Sequence, residues 1–141
     1  MKIREITIED SVNLYDFLIK LDGVPMKFTL RAIEYMINSH SFFGYLSELD
    51  DGTITAATTC QMTSQVFDID NKCCAIYGVA ASSRYSGHAV YLLKKIVTVA
   101  KERGASNILI GIDHDIKHSP EKLYAKLGFK PKQTMYCMEV R

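Results

Sequence analysis

A short run of residues between an apolar strand pattern and a helical pattern carries the clearest chemistry in this sequence. Its members are Arg84, Tyr85, Ser86, Gly87, His88 and Ala89. The first N–H groups of a helix have no partners inside the helix and carry the positive end of the helix dipole, so they attract anions. Short side chains stand at Ser86 and Gly87, and no Asp or Glu occupies the helix start. The run therefore predicts a pyrophosphate site, with Arg84 as a fixed positive charge beside it.

The familiar phosphate-binding loops do not account for this run. The sequence has neither the GxxxxGK[ST] pattern of nucleoside triphosphate sites nor the GxGxxG pattern of dinucleotide sites. The alternative is an ordinary strand-to-helix turn, in which Gly87 relieves a steric clash and Arg84 is solvated. Taken alone, an Arg-x-x-Gly pattern favours that alternative.

A second motif, LYAKLGF at residues 123–129, follows a short apolar strand pattern. Together with RYSGHA at residues 84–89, which Val79 precedes and Leu92 and Leu93 follow, it resembles the GCN5-related N-acetyltransferase (GNAT) superfamily. The matching family motifs are Q/R-x-x-G-x-G/A, which binds acetyl-CoA, and L-Y-x-x-x-G-F. The resemblance is strongest over residues 73–130, and the predicted order of elements agrees over nearly the whole chain.

The resemblance implies acetyl-CoA (CoA) as the cofactor. Backbone N–H groups of residues 85–89 would hold the pyrophosphate, and the strand that ends at Val79 and Ala81 would pair through its main chain with the pantetheine arm. In the family this arm lies in a splay between the fourth and fifth strands, here residues 73–81 and 107–112. The N–H of Val79 would lie near the thioester oxygen as an oxyanion donor.

Tyr124 matches the family tyrosine that protonates the departing CoA thiolate. A thiolate leaving group needs a proton, and a phenol with a pKa near ~10 is a suitable donor when it is held close by. The alternative is that Tyr124 is only an aromatic residue at the core edge of an amphipathic helix.

The general base is left open by the sequence. Many relatives use a carboxylate near the fourth strand, yet residues 73–83 contain no Asp or Glu. The candidates elsewhere are Glu48, Asp113 and His114, and water alone would serve an amine of low pKa. The family's frequent asparagine before the tyrosine is replaced by Lys117, which alters the expected contact of that loop with the cofactor.

The elements that must position these residues follow from periodicity and turn signals. Residues 2–7 alternate as a first strand, and two helical patterns follow, the first ending at residues 23–25 and the second over residues 29–39. Three strands at 42–49, 53–67 and 73–81 make an antiparallel meander, with turns at residues 50–52 and 68–72. The order is completed by a helix over residues 87–104 that ends at Gly104, a buried strand at 107–112, a short helix and a last strand at 133–140. The short helix has Ser119 as its N-cap and runs to Leu127, with Gly128 as its C-terminal stop.

This order predicts an α+β, GNAT-like fold. The sheet is mixed and mostly antiparallel, a central parallel strand pair is splayed to hold acetyl-CoA, and helices lie on both faces. The four cysteines fall in apolar strand-like runs without CxxC spacing, so buried thiols are favoured over a zinc site or a disulfide, and no metal is expected. No cysteine lies in either motif, which disfavours a covalent cysteine intermediate.

Composition predicts one soluble cytoplasmic domain over residues 1–141. Hydrophobic residues make up 48% and charged residues 23%, typical of a globular core, and no apolar stretch is long enough to span a bilayer. A net charge of +1 from 17 basic and 16 acidic residues argues against general binding of nucleic acid. We expect neither a nucleic-acid partner nor a membrane, and a homodimer remains open.

The function predicted from the resemblance is acetyl transfer to a primary amine by direct attack in a ternary complex. The amine belongs to a small molecule or to a protein, and the sequence does not choose between them. The alternative is a catalytically idle GNAT-fold module that binds CoA or a partner protein, which the missing base and the altered loop at Lys117 motivate.

Overall fold

The computed structural model describes residues 1–21, 29–65, 68–112 and 120–140, without the side chains of residues 65 and 68–70. Two short 3₁₀ turns, Ile8–Asp10 and Ser83–Tyr85, precede α1 and α3. The elements in chain order are β1 (Lys2–Glu5), α1 (Ser11–Ile19), α2 (Leu30–Ile37), β2 (Phe42–Glu48), β3 (Ile54–Gln65), β4 (Asp68–Ala81), α3 (Ser86–Glu102), β5 (Ala105–Ile110) and α4 (Glu121–Lys126).

The five strands form one mixed sheet in the order β1-β2-β3-β4-β5. The pairs from β1 to β4 are antiparallel, and β4 and β5 are parallel. Parallel neighbours need a crossover connection, and α3 supplies it. The predicted mixed, mostly antiparallel sheet with one parallel pair is confirmed.

Helices cover both faces of this sheet because β2 and β3 bury apolar side chains on both sides. On one face, Leu14 of α1 and Ile33 of α2 pack with Leu46 and Ala57 in one core cluster. Side chains alternate along a strand, so Phe43 and Tyr45 point to the other face. There α3 covers them: its Arg103 lies 4.4 Å from the centre of the Phe43 ring, and its Lys95 lies 5.6 Å from that of Tyr45.

Residues 1–111 and 112–141 form two compact units. The first contains the sheet with α1, α2 and α3, and the second contains α4. Predicted glycine signals are confirmed in both: Gly52 in the β2–β3 turn, Gly104 after α3 and Gly128 after α4 all have positive φ, which glycine adopts without steric cost. No helix in the described ranges is long and apolar enough to cross a membrane.

Several predicted boundaries are wrong. Residues 68–72 belong to β4 instead of forming a turn, because the ladder between β3 and β4 continues to the pair Gln65 and Asp68. The fifth strand begins two residues earlier than predicted and is half-buried rather than fully buried, since it is the last strand of the described sheet. The predicted helix end at residues 23–25 and the cap at Ser119 lie outside the described residues.

The predicted last strand at residues 133–140 is not formed. Met135, Tyr136, Met138 and Val140 are each at least 84% exposed, and no described strand pairs with this segment. Alternation of apolar residues permits a strand, but only a hydrogen-bonded neighbour makes one. Cys137 in this segment is exposed, which corrects the prediction of a buried thiol, whereas Cys60, Cys73 and Cys74 are buried as predicted.

An ion-pair network ties β1 to the start of α1 and to β2. The Arg4 guanidinium donates to both Asp10 carboxylate oxygens, at 2.9 and 2.7 Å, and its Nε donates to Glu48 at 3.1 Å. Burial alone would raise the pKa of Asp10, but hydrogen bonds from Arg4 and from the Thr7 N–H outweigh it and leave the pKa lowered. A carboxyl group whose pKa is lowered on folding stabilises the fold while it is ionised.

We expect Asp10→Asn to lower the free energy of unfolding by about 2 kcal/mol at neutral pH, because it removes the charge that Arg4 pairs with. The loss should shrink as pH falls through the lowered pKa of Asp10, where the wild-type carboxylate is itself protonated. Urea unfolding from pH 7 to pH 3 measures both. Exposed Glu9→Gln in the same turn is the control, and a loss that is constant with pH would contradict the ion-pair account.

Candidate functional site

The junction between β4 and α3 is anchored to β3. Directly after β4, the Ser82 N–H and hydroxyl both donate to the Thr55 carbonyl, at 3.0 and 3.2 Å. The Tyr85 N–H then closes the 3₁₀ turn by donating to the Ser82 carbonyl at 2.8 Å, and α3 begins at Ser86. These bonds fix where the start of α3 lies relative to the sheet.

The start of α3 has no side-chain cap and no acidic residue in its first turn. Arg84, Ser86 and Gly87 are exposed, and the Arg84 guanidinium lies 5.6 Å from the centre of the Tyr85 ring. An uncapped, accessible helix start next to an arginine can hold an anionic group on its N–H groups. Of the other predicted residues of this turn, Tyr85 and His88 are half-buried and Ala89 is buried.

Gly87 is not required by the protein's own packing. A Cβ atom at Gly87 would have no heavy atom within 4 Å, and the residue does not have positive φ. No other segment of the described chain therefore needs glycine at this position to avoid a clash. The open space above this backbone fits the close approach of a pyrophosphate.

His88 is held by one buried hydroxyl group, which in turn contacts a second one, and the sequence did not reveal either. Its Nδ1 lies 2.8 Å from Thr55 Oγ1, which in turn lies 2.8 Å from Ser47 Oγ. Thr55 and Ser47 are fully buried, and the His88 ring centre lies 5.0 Å from that of Tyr85. His88 therefore anchors the first turn of α3 to β2 and β3. No local pattern in the sequence signals this contact, because its partners are distant in the chain.

The last residues of β4 extend beyond its pairing with β5. The parallel ladder runs from Lys72 to Ile76, opposite Ala105 to Ile110, and β4 continues to Ala81 beyond it. Side-chain burial changes at the same point: Cys74 and Ile76 are buried, whereas Val79 and Ala81 are half-buried. Main-chain groups on the β5 side of this free stretch can pair with an extended ligand, as an added strand would.

Tyr124 lies on α4, in the unit of residues 112–141. Its ring centre is 5.9 Å from that of Phe129, and its carbonyl accepts from the Phe129 N–H at 3.0 Å. Partial burial raises the pKa of the Tyr124 hydroxyl, so the phenol keeps its proton to higher pH than a solvated tyrosine. The hydroxyl is therefore in its protonated form at neutral pH.

Among the candidate bases, Glu48 is engaged by Arg4, with Arg4 Nε 3.1 Å from its carboxylate. Asp113, His114 and Lys117 lie outside the described residues. Contact with Cys74 and burial raise the pKa of the Cys60 thiol, so this thiol is a poor source of a nucleophilic thiolate.

The chain belongs to the acetyltransferase (GNAT) family. The family model matches residues 10–129. This range includes both motifs, the sheet from β2 onward and all four helices. No curated protein sequence matches the chain significantly.

Solved structures of the same fold cover nearly the whole chain. A ribosomal-protein-alanine N-acetyltransferase from Brucella melitensis biovar Abortus 2308 has a TM-score of 0.81 at 12% identity, over 99% of this chain and 100% of its own. An aminoglycoside acetyltransferase from an uncultured soil metagenomic sample scores 0.78 at 17% identity, and glucosamine-6-phosphate N-acetyltransferase from Arabidopsis thaliana scores 0.77 at 17%. Each of these two covers 99% of this chain and 98% of its own. The TM-scores show a shared fold, and at identities this low they show the fold alone.

Proposed function

We propose that this protein is an acetyl-CoA-dependent N-acetyltransferase that acts on a primary amine in a ternary complex. The observation that carries the proposal is the accessible, uncapped start of α3, with open space over Gly87 and Arg84 beside it. A scaffold without a cofactor has no use for a glycine at this helical position, because alanine is the better helix former.

The free stretch of β4 supports the other half of the proposed cofactor site. The main chain from Tyr77 to Ala81 has no β5 partner. Its N–H and C=O groups on the β5 side can pair with an extended ligand that contains amide groups. The Arg84 guanidinium and the N–H groups of residues 85–89 lie a few residues further on, at the end of the same strand. An anion and an extended arm can therefore be bound by one continuous stretch of chain.

The proposed chemistry is direct transfer. Bound acetyl-CoA supplies an activated acetyl thioester, which the amine nitrogen attacks as the carbon–sulfur bond breaks. The Val79 N–H donates a hydrogen bond to the carbonyl oxygen as it gains negative charge, and Tyr124 donates its phenolic proton to the departing sulfur. The amine loses its extra proton to water or to a base that we do not assign.

We further propose that residues 1–141 act as one acetyltransferase domain and that the protein works in the cytoplasm. Cys60, Cys73, Cys74 and Cys137 are all free thiols, which is typical of a reducing compartment. The amine acceptor belongs to a small molecule or a protein, as it does in relatives named for aminoglycosides, glucosamine-6-phosphate and a ribosomal protein.

Calorimetric titration with acetyl-CoA, CoA and ADP tests the cofactor site. We expect saturable one-to-one binding in which acetyl-CoA outcompetes ADP, since ADP offers the pyrophosphate without the arm. Release of free thiol upon addition of amines then tests turnover. Absence of binding at millimolar acetyl-CoA would contradict the proposal.

The second candidate is an idle GNAT-fold module that binds CoA or a partner protein. It is favoured by the engagement of Glu48 with Arg4, because Glu48 was the only candidate base within the described residues. CoA binding without turnover of any amine would support this module over the enzyme.

Thr55→Val should weaken CoA binding several-fold, because it removes the hydroxyl that holds His88 and leaves the buried Ser47 hydroxyl without this partner. Thr55→Ser keeps the hydroxyl and should restore the affinity. The dissociation constant for CoA in the two variants, together with kcat at saturating acetyl-CoA, checks this. Equal affinity of the valine and serine variants would show that His88 does not position the turn.

A further inference from the structure

A cavity lies under α2, on the face of the sheet opposite α3. It has a volume of about 250 Å³. Phe42 at its edge packs against the core cluster of α1 and α2, which places the cavity on that face. Its walls include Tyr35 and Met36 of α2, Phe42 of β2, Thr59 and Gln61 of β3, and Tyr77 of β4.

The cavity borders the free stretch of β4. Thr59 pairs with Gly78 and Cys60 with Ile76, so Tyr77 is an extra residue that bulges from the ladder. This bulge comes directly after the last β5 pair at Ile76 and two residues before Val79. Because α3 covers the other face, a molecule that approaches Val79 from the α2 face passes Tyr77.

The walls of the cavity are aromatic and uncharged. Three rings, Tyr35, Phe42 and Tyr77, surround it, and every lining side chain within the described residues is neutral. Tyr35 is 81% and Tyr77 68% exposed, so two aromatic surfaces stand open to solvent at its edge. Aromatic residues exposed beside a cavity are typical of binding sites, and the described walls of this cavity offer no carboxylate to a second ammonium group.

The volume limits the size of the occupant. A cavity of about 150 Å³ holds benzene, so about 250 Å³ accommodates one ring with a short arm. A linked set of charged sugar rings exceeds this space. We propose that this cavity binds the body of the acceptor, and that the acceptor is a primary amine carrying a single uncharged ring or short apolar chain. This inference rests on the proposed acetyl transfer and specifies its substrate class.

Three matched amines test the assignment through release of free thiol from acetyl-CoA. 2-Phenylethylamine carries one ring, butylamine a short apolar chain, and 1,4-diaminobutane the same chain length with a second charge. We expect kcat/KM to be at least tenfold higher for 2-phenylethylamine than for 1,4-diaminobutane, with butylamine between them. Saturable binding of 2-phenylethylamine to the CoA complex should accompany this preference.

Two variants change the cavity in opposite ways. Tyr77→Ser removes one ring and should reduce the preference for 2-phenylethylamine severalfold. Gln61→Glu adds a carboxylate of nearly equal shape and should shift the preference toward 1,4-diaminobutane. Tyr91→Ser is the control, since Tyr91 is 54% exposed on α3 and lies outside the cavity.

The outcomes distinguish a failure of the cavity assignment from a failure of the proposed acetyl transfer. Turnover that favours 1,4-diaminobutane, or a preference that Tyr77→Ser leaves unchanged, would overturn the cavity assignment while acetyl transfer stands. Binding of 2-phenylethylamine that Tyr77→Ser abolishes, without turnover of any amine, would support the cavity and overturn acetyl transfer. Neither binding nor turnover of 2-phenylethylamine would overturn the cavity assignment, and acetyl-CoA titration would then decide whether the cofactor site itself exists.

Discussion

Gly87→Glu is expected to abolish binding of both acetyl-CoA and CoA, with a loss of affinity of at least a hundredfold. The glutamate would fill the open space over the start of α3 and place a negative charge where the proposed pyrophosphate lies. The fold should survive, because a Cβ at this position meets no protein atom within 4 Å. Calorimetric titration together with thermal unfolding measures both quantities.

Gly87→Ala is the matched control, and its expected effects on stability and on CoA binding differ in direction. In the free protein, alanine in a helix is more stable than glycine by up to about 1 kcal/mol, so thermal stability should be unchanged or higher. Its methyl group should still weaken CoA binding by a smaller factor than glutamate does. Unchanged CoA affinity in Gly87→Glu would show that the pyrophosphate binds elsewhere.

Tyr124→Phe is expected to lower kcat about a hundredfold while changing the dissociation constant for acetyl-CoA less than twofold. The substitution removes only the hydroxyl proposed to protonate the leaving thiolate and keeps the ring that packs near Phe129. Steady-state kinetics with a responsive amine, alongside calorimetry, separates the two quantities. Equal loss of turnover and of binding would contradict the role of Tyr124 as an acid.

The pH dependence of kcat gives a second readout for Tyr124. Burial raises the pKa of its hydroxyl, so the donating form persists at neutral pH and is lost only as pH rises through that raised value. Wild-type kcat should therefore fall on the alkaline side, and Tyr124→Phe should lack this fall. Tyr136→Phe, at a tyrosine that is 93% exposed, controls for a general effect of removing a phenol.

The parts of the fold that were predictable depend on local signals. The amphipathic pattern of α3 and the glycines after it and after α4 are written in neighbouring residues, and φ at Gly104 and Gly128 is positive as expected. Thr29 caps α2 through its hydroxyl, which accepts from the Ala32 N–H at 3.1 Å. A helix needs only its own residues to satisfy its backbone, so its limits were found within a few positions.

Strand limits were less predictable because a strand exists only through its neighbours. Residues 68–72 contain turn-forming residues, yet the ladder with β3 makes them part of β4. Residues 133–140 alternate as a strand would, yet they pair with no described strand. Alternation records which faces a strand would have and not whether a partner is present.

The sequence by itself determined the family and the order of elements as far as α4, and it located the turn proposed to bind the cofactor, because two motifs and helical periodicity are carried by residues close together in the chain. Tertiary structure alone decided what surrounds them. It joined His88 to Thr55, engaged Glu48 with Arg4 44 positions away, and ended the β4 ladder at Ile76. It also formed the aromatic cavity beside Tyr77. Such contacts depend on strand register and helix placement, which bring together side chains that no spacing in the sequence relates.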